Sequence, residues 1–99
     1  MFNNIVSSPL GNLSLQHVLD LAKIYLGSAS KAQHPDIALV LCHDAEVALS
    51  QAKKTAKRAK DQAALLEIAT TYMQLGRELG NRGHSDEAQE SYKKAEKGG

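Results

Sequence analysis

The chain has 99 residues, of which 42% are apolar and 23% charged, and its formal net charge is +1. This composition excludes a disordered or collagen-like chain, and one cysteine excludes a disulfide-stapled scaffold. The near-neutral charge implies no obligate polyanionic partner. The length predicts a single domain, and an apolar fraction drawn mainly from Ala and Leu favours helices.

Residues 1–12 mix Asn, Ser, Pro and Gly without any period, so we expect an irregular arm ahead of one helical domain over 13–97. The longest wholly apolar run, 37–42, is too short to cross a bilayer. The chain start lacks the basic and apolar regions of a secretory signal. A lone cysteine, Cys42, within a helical apolar pattern is typical of a buried residue in a reducing compartment. These features predict a cytoplasmic protein that does not enter membranes.

The first helix is expected to begin after Ser14, whose hydroxyl can cap the free N–H groups of the first turn. Apolar residues then follow at spacings of three and four from Leu15 to Ala29, which form one helical face. Leu21 and Ile24 widen that face, so this helix is expected to touch neighbours on two sides.

The second helix is expected to begin at Pro35, because proline suits the first helical position. Its apolar positions thin to alanine after Leu49. A basic cluster over 53–60 suits the negative end of a helix dipole, and Asp61 suits an N-cap, so we predict a break at Lys60–Asp61. A helix continuing through this point would run about 40 residues, roughly 60 Å, and would imply a domain-swapped dimer.

The third helix is expected to end at the glycines near 80–83, with Gly83 in a left-handed turn. Ser85 is expected to cap the last helix, whose inner face would consist of Ala88, Tyr92 and Ala95. Short connections between four helices predict an all-α fold of antiparallel helical hairpins.

Residues 69–95 resemble one tetratricopeptide (TPR) repeat over nearly its full length. Gly76 and Ala88 are small where two helices must approach closely, and the tyrosines fill the gaps that close backbones leave. About residues 15–60 resemble a divergent repeat with a longer second helix. The matching positions of the better repeat are Ala69, Tyr72, Leu75, Gly76, Leu79, Gly83, Ala88, Tyr92 and Ala95.

The resemblance implies a fragment of a TPR-like α-α superhelix with a role in protein association and no chemistry. In this family the first helix of each hairpin lines a concave groove that receives protein or peptide partners. Because repeat hairpins are stabilised by stacking, two hairpins leave an apolar face open, which predicts a homo-oligomer unless the arm covers that face or the chain was excised from a longer protein. The residues that would face a partner are Asp20, Lys23, Lys31, Thr70, Met73, Arg77 and Asn81.

Other functions are weaker interpretations of this sequence. No two histidines have the i, i+4 spacing of a helical metal site, and no nucleophile and base converge, so we expect no metal, no cofactor and no enzymatic activity. The basic cluster at 53–60 could meet phosphates, but no aromatic residue there would stack on bases. Nucleic-acid or anion binding therefore stays an alternative, as does a structural or engineered scaffold without a ligand.

Overall fold

The fold is all-α, as the sequence predicts. The computed structural model describes residues 14–98, and that part of the chain contains four helices and no strand. The predicted arm at 1–12 lies outside the described residues. The helices are α1 (Leu15–Lys31), α2 (Pro35–Ala59), α3 (Gln62–Asn81) and α4 (Ser85–Gly98).

The helices pack as two hairpins, α1 with α2 and α3 with α4, and α2 also packs along α3. A lighter contact joins α1 to α3. Two layers result, with α1 and α3 side by side in one and α2 and α4 in the other. The connections within and between the hairpins are only two or three residues long, which forces chain neighbours to run antiparallel.

Local signals set the ends of α1 and the start of α2 as predicted. The Ser14 hydroxyl accepts a hydrogen bond from the His17 N–H at 3.3 Å. Pro35 occupies the first position of α2, where its missing N–H costs no hydrogen bond. The expectation that α1 touches neighbours on two sides is confirmed, since α1 packs against both α2 and α3, although Ile24 itself is 60% exposed.

The predicted break between α2 and α3 is confirmed. Lys60 turns the chain in the left-handed region, with φ 56° and ψ 39°, and its N–H still donates to the last carbonyls of α2. The Asp61 carboxylate then accepts from the Ala64 N–H at 3.1 Å and caps α3. The continuous helix that would have implied a domain-swapped dimer is therefore not formed.

Because a side chain in the left-handed region is strained, replacing Lys60 should stabilise the fold. We expect Lys60→Gly to raise the free energy of unfolding by about 0.5–1 kcal/mol, since glycine adopts this conformation without strain. The matched control, Lys57→Gly in the helical last turn, should lower it by about 0.5–1 kcal/mol. Urea unfolding measures both, and a loss of stability in Lys60→Gly would contradict this backbone geometry.

Alanine supplies an unusual share of the buried core, which lets the helices lie close together. The largest fully buried side chains include Leu19, Leu49, Ile68, Tyr72 and Leu75, and they fill the space around the alanines. The buried alanines are Ala22, Ala29, Ala38, Ala45, Ala48, Ala52, Ala56, Ala88 and Ala95.

Small residues bring α3 and α4 together, at the positions that the sequence singled out. A Cβ placed on Gly76 would lie 2.8 Å from Cε1 of Tyr92, and one on Gly80 would lie 3.8 Å from Cβ of Ala88. The Tyr92 ring therefore lies toward α3, as predicted, although the residue stays 40% exposed. It covers Gly76 from the rim, and Ser91, 1% exposed, takes the interior position that the sequence pattern missed.

The turn before α4 is built by Gly83, whose φ of 88° confirms the predicted left-handed conformation. The expectation that Ser85 caps α4 was wrong by one residue, because α4 begins at Ser85 itself. The Ala88 N–H donates to the His84 carbonyl at 2.9 Å, so His84 holds the cap position.

Candidate functional site

The helices α1 and α3, from which the partner residues were predicted, lie parallel to one another. Near their N-terminal ends, Leu15 and Ala63 line the same shallow pocket. Near their C-terminal ends, the Arg82 guanidinium donates to the carbonyls of Ala29 at 2.7 Å and Ala32 at 3.2 Å. Matching ends therefore meet, which makes α1 and α3 parallel neighbours.

An ion pair between Lys23 and Glu67 spans the space between these two helices. Ile24 lies about 100° further round α1 than Lys23, and Leu66 lies about 100° back round α3 from Glu67. In parallel helices these opposite rotations turn both side chains to the same side of the layer. Ile24 is 60% and Leu66 is 69% exposed there.

Most of the predicted partner residues are exposed on that same side, because they recur at helical spacing with Ile24 and Leu66. Lys23 differs, since its ammonium is engaged by Glu67 within the layer. Gly27 leaves an open space in α1, with nothing within 4 Å of where a Cβ would be. We call this surface the α1/α3 face; it comprises Asp20, Ile24, Gly27, Lys31, Leu66, Thr70, Met73, Arg77 and Asn81.

The opposite layer carries a deeper depression that sequence reasoning missed. A groove of about 560 Å³ runs between α2 and α4, and its floor includes Leu75 and Leu79 of α3. Val40 of α2 is 59% exposed at its edge. We call it the α2/α4 groove; its lining residues are Leu39, Val40, Cys42, His43, Glu46, Leu75, Leu79, Glu87, Glu90, Ser91 and Lys94.

An ion pair between Lys94 of α4 and Glu46 of α2 crosses the α2/α4 groove. Its hydrogen bond to Glu46 raises the pKa of Lys94 above the ordinary value, so the ammonium stays charged at neutral pH. Nearer the start of α4, Glu87 and Glu90 also line the groove. The groove therefore combines an apolar floor with three carboxylates and one ammonium.

The Cys42 thiol, which lines the groove, is shielded from solvent. Burial raises the pKa of the Cys42 thiol, and the negative charges of Glu78 and Glu87 add to the shift. The thiol is therefore protonated at neutral pH, the form that is a poor nucleophile. Within residues 14–98, no three His, Cys, Asp or Glu side chains converge in a way that could hold a metal ion.

The basic cluster at 53–60 is divided by the structure. Lys53 points inward, donating to the Lys94 carbonyl at 3.2 Å and lying 5.8 Å from the centre of the Tyr72 ring. The Tyr72 hydroxyl lies 3.2 Å from the Ser50 hydroxyl, so Lys53 and Ser50 both serve the packing of α2 on its neighbours. The cations that stay exposed in this cluster are Lys54, Lys57, Arg58 and Lys60.

The α2/α4 groove was missed because its walls come from segments far apart in the sequence. One signal was nonetheless available in the unbroken apolar run 37–42. The side chains of six consecutive helical residues point in all directions around the helix axis, so some of these apolar residues must point away from the core. Val40 and Ile37 are those residues, since both are about half exposed or more.

Comparisons of the chain with protein-family models, with curated proteins and with solved structures gave no significant match. In the part of the chain that the structure describes, no helix combines the length and the apolar content needed to cross a membrane.

Proposed function

We propose that this chain is a non-enzymatic protein-interaction module built from two TPR-like helical hairpins. The observation that carries the proposal is the clustering of large exposed apolar side chains, Ile24, Leu66 and Met73, on the α1/α3 face. Apolar residues ringed by polar ones on a small protein mark association surfaces more often than scattered single exposures do. We also propose a cytoplasmic location, on the basis of the single buried cysteine.

The chemistry of the α1/α3 face favours a peptide with both apolar and charged groups. Met73 adapts its shape to different apolar partners because its side chain is unbranched. Arg77 and Lys31 offer exposed cations beside it, and Asp20 offers an exposed carboxylate. A partner gains apolar burial at the centre of the face and orientation from charges at its rim.

Selection from a random peptide library tests this proposal without knowledge of the natural partner. We expect selected peptides to bind the wild-type chain at least about tenfold more tightly than the variant Leu66→Asp/Met73→Asp, because two desolvated carboxylates would oppose apolar contact. The matched control, Val47→Asp/Gln89→Asp, adds the same charge at exposed positions on α2 and α4, outside the face, and should bind like the wild type. A selection in which no peptide distinguishes the first variant from this control would contradict the proposal.

Nucleic-acid or anion binding through the basic cluster is the competing function, and the contacts of Lys53 weaken it. With Lys53 directed toward Tyr72, the cluster has lost one of its five cations as a phosphate ligand. Counterion release makes such binding fall steeply with salt, whereas apolar association persists. A steep salt dependence of binding to duplex DNA, abolished by Lys54→Gln/Lys57→Gln/Arg58→Gln, would favour the competing function.

A further inference from the structure

We infer that the α2/α4 groove is a docking site for a cationic amphipathic helix from another protein. This inference rests on the proposed function only in treating the chain as a protein-binding module, since the two sites lie on opposite layers.

The shape of the groove suits the apolar face of one helix. Its α2 wall extends over Leu39–Glu46, which is about two helical turns or roughly 12 Å. Both walls are helices whose backbone groups are already paired along their own axes, so an added strand would find no ladder of partners. Recognition must therefore come from side chains, which is how a helix binds in a groove.

The negative charge of the groove favours a partner with basic side chains. Glu46, Glu87 and Glu90 bring three negative charges against the single positive charge of Lys94, which leaves a net charge of −2 for these four side chains. Glu46 is already engaged by Lys94. Glu87 and Glu90 lie one helical turn apart on α4, so they match two Lys or Arg residues similarly spaced along a bound helix.

Two other occupants fit the groove less well. In a second copy of this chain, the exposed cations Lys54, Lys57 and Arg58 share their helix face with one nearby large apolar side chain, Val47. A single valine would leave most of the apolar floor uncovered. Residues 1–13 contain apolar side chains but no charged ones, so they do not complement Glu87 and Glu90. A helix that carries both leucine-sized residues and basic residues satisfies both requirements.

The test uses a labelled peptide of about 14 residues in which leucines recur at i, i+3 and i+4 and lysines occupy the other positions. Its control has glutamates in place of the lysines. Fluorescence anisotropy should show binding of the lysine peptide at least about tenfold tighter than binding of the glutamate peptide.

Variants of the chain then locate the binding. Val40→Lys should weaken binding of the lysine peptide by about tenfold or more. Val47→Lys, outside the groove on the same helix, should leave the affinity unchanged. Glu87→Gln/Glu90→Gln should weaken it about fivefold. Asp86→Asn/Glu96→Gln removes the same charge from α4 outside the groove and should change the affinity less than twofold.

Each contrary result has a distinct meaning. Equal losses in the two α4 double variants would reduce the binding to long-range attraction and overturn the inference. If the lysine peptide no longer bound Leu66→Asp/Met73→Asp but still bound Val40→Lys, the peptide would lie on the α1/α3 face. That result would overturn the inference while supporting the proposed function. Two further results would overturn it: tighter binding of a peptide of residues 1–13, or a sedimentation mass that rises with concentration in the wild type but not in Val40→Lys.

Discussion

Gly76→Leu should lower the free energy of unfolding by about 1–3 kcal/mol, because the new side chain overfills the crossing of α3 and α4. Its Cβ alone would lie 2.8 Å from Cε1 and 3.0 Å from Cζ of the Tyr92 ring. The leucine branches must then push out the ring or separate the helices. Urea unfolding, followed by the helical circular dichroism signal, measures the loss.

A double-mutant cycle with Tyr92 identifies the cause. In a Tyr92→Ala background the obstructing ring is gone, so Gly76→Leu should cost at least about 1 kcal/mol less than in the wild type. Gly27→Leu is the matched control, since an added Cβ there meets nothing within 4 Å; it should gain stability from helix propensity. An equal cost of Gly76→Leu in both backgrounds would contradict the register of α3 and α4.

Arg82→Ala should lower the free energy of unfolding by about 2–3 kcal/mol, because one guanidinium connects the two hairpins. It donates to the Ala29 and Ala32 carbonyls at the end of α1, and its Nε donates to Glu78 at 2.7 Å. The side chain is 21% exposed, so water replaces only part of what is lost. Thermal and urea unfolding should agree on the size of the effect.

The planar fork of arginine is the feature on which the Arg82 prediction depends. Arg82→Lys retains the charge but loses the fork, so it should recover less than half of the stability that Arg82→Ala loses. Glu78→Gln keeps an acceptor for Nε of Arg82 without the negative charge, so it should lower the free energy of unfolding by about 1 kcal/mol or less. Wild-type stability in Arg82→Lys would show that a point charge suffices and would contradict the dependence on the fork.

The helices and their ends were predictable from the sequence because local chemistry determines them. Pro35, Asp61 and Gly83 each act through their own backbone or cap geometry, which needs no knowledge of distant residues. The small residues Gly76 and Ala88 were singled out through the resemblance to a TPR repeat, in which the paired helices approach closely at these positions. The cap of α4 was misplaced by one position, because sequence patterns locate a helix end only to within one or two residues.

Contacts between helices were harder to predict from the sequence than the helices themselves. Lys23 was predicted to face a partner, but its pairing with Glu67 depends on the parallel approach of α1 and α3. Likewise, the inward direction of Lys53 depends on the position of the Tyr72 ring. The α2/α4 groove is defined by three helices, and sequence periodicity describes only one helix at a time.

The proposed binding of a protein partner at the α1/α3 face is tested by titrating the ¹⁵N-labelled chain with a library-selected peptide and following its backbone amide chemical shifts. We expect the largest shift changes to cluster around Ile24, Leu66, Met73 and Arg77. Changes confined to α2 and α4, or spread evenly over all helices, would contradict the proposed binding.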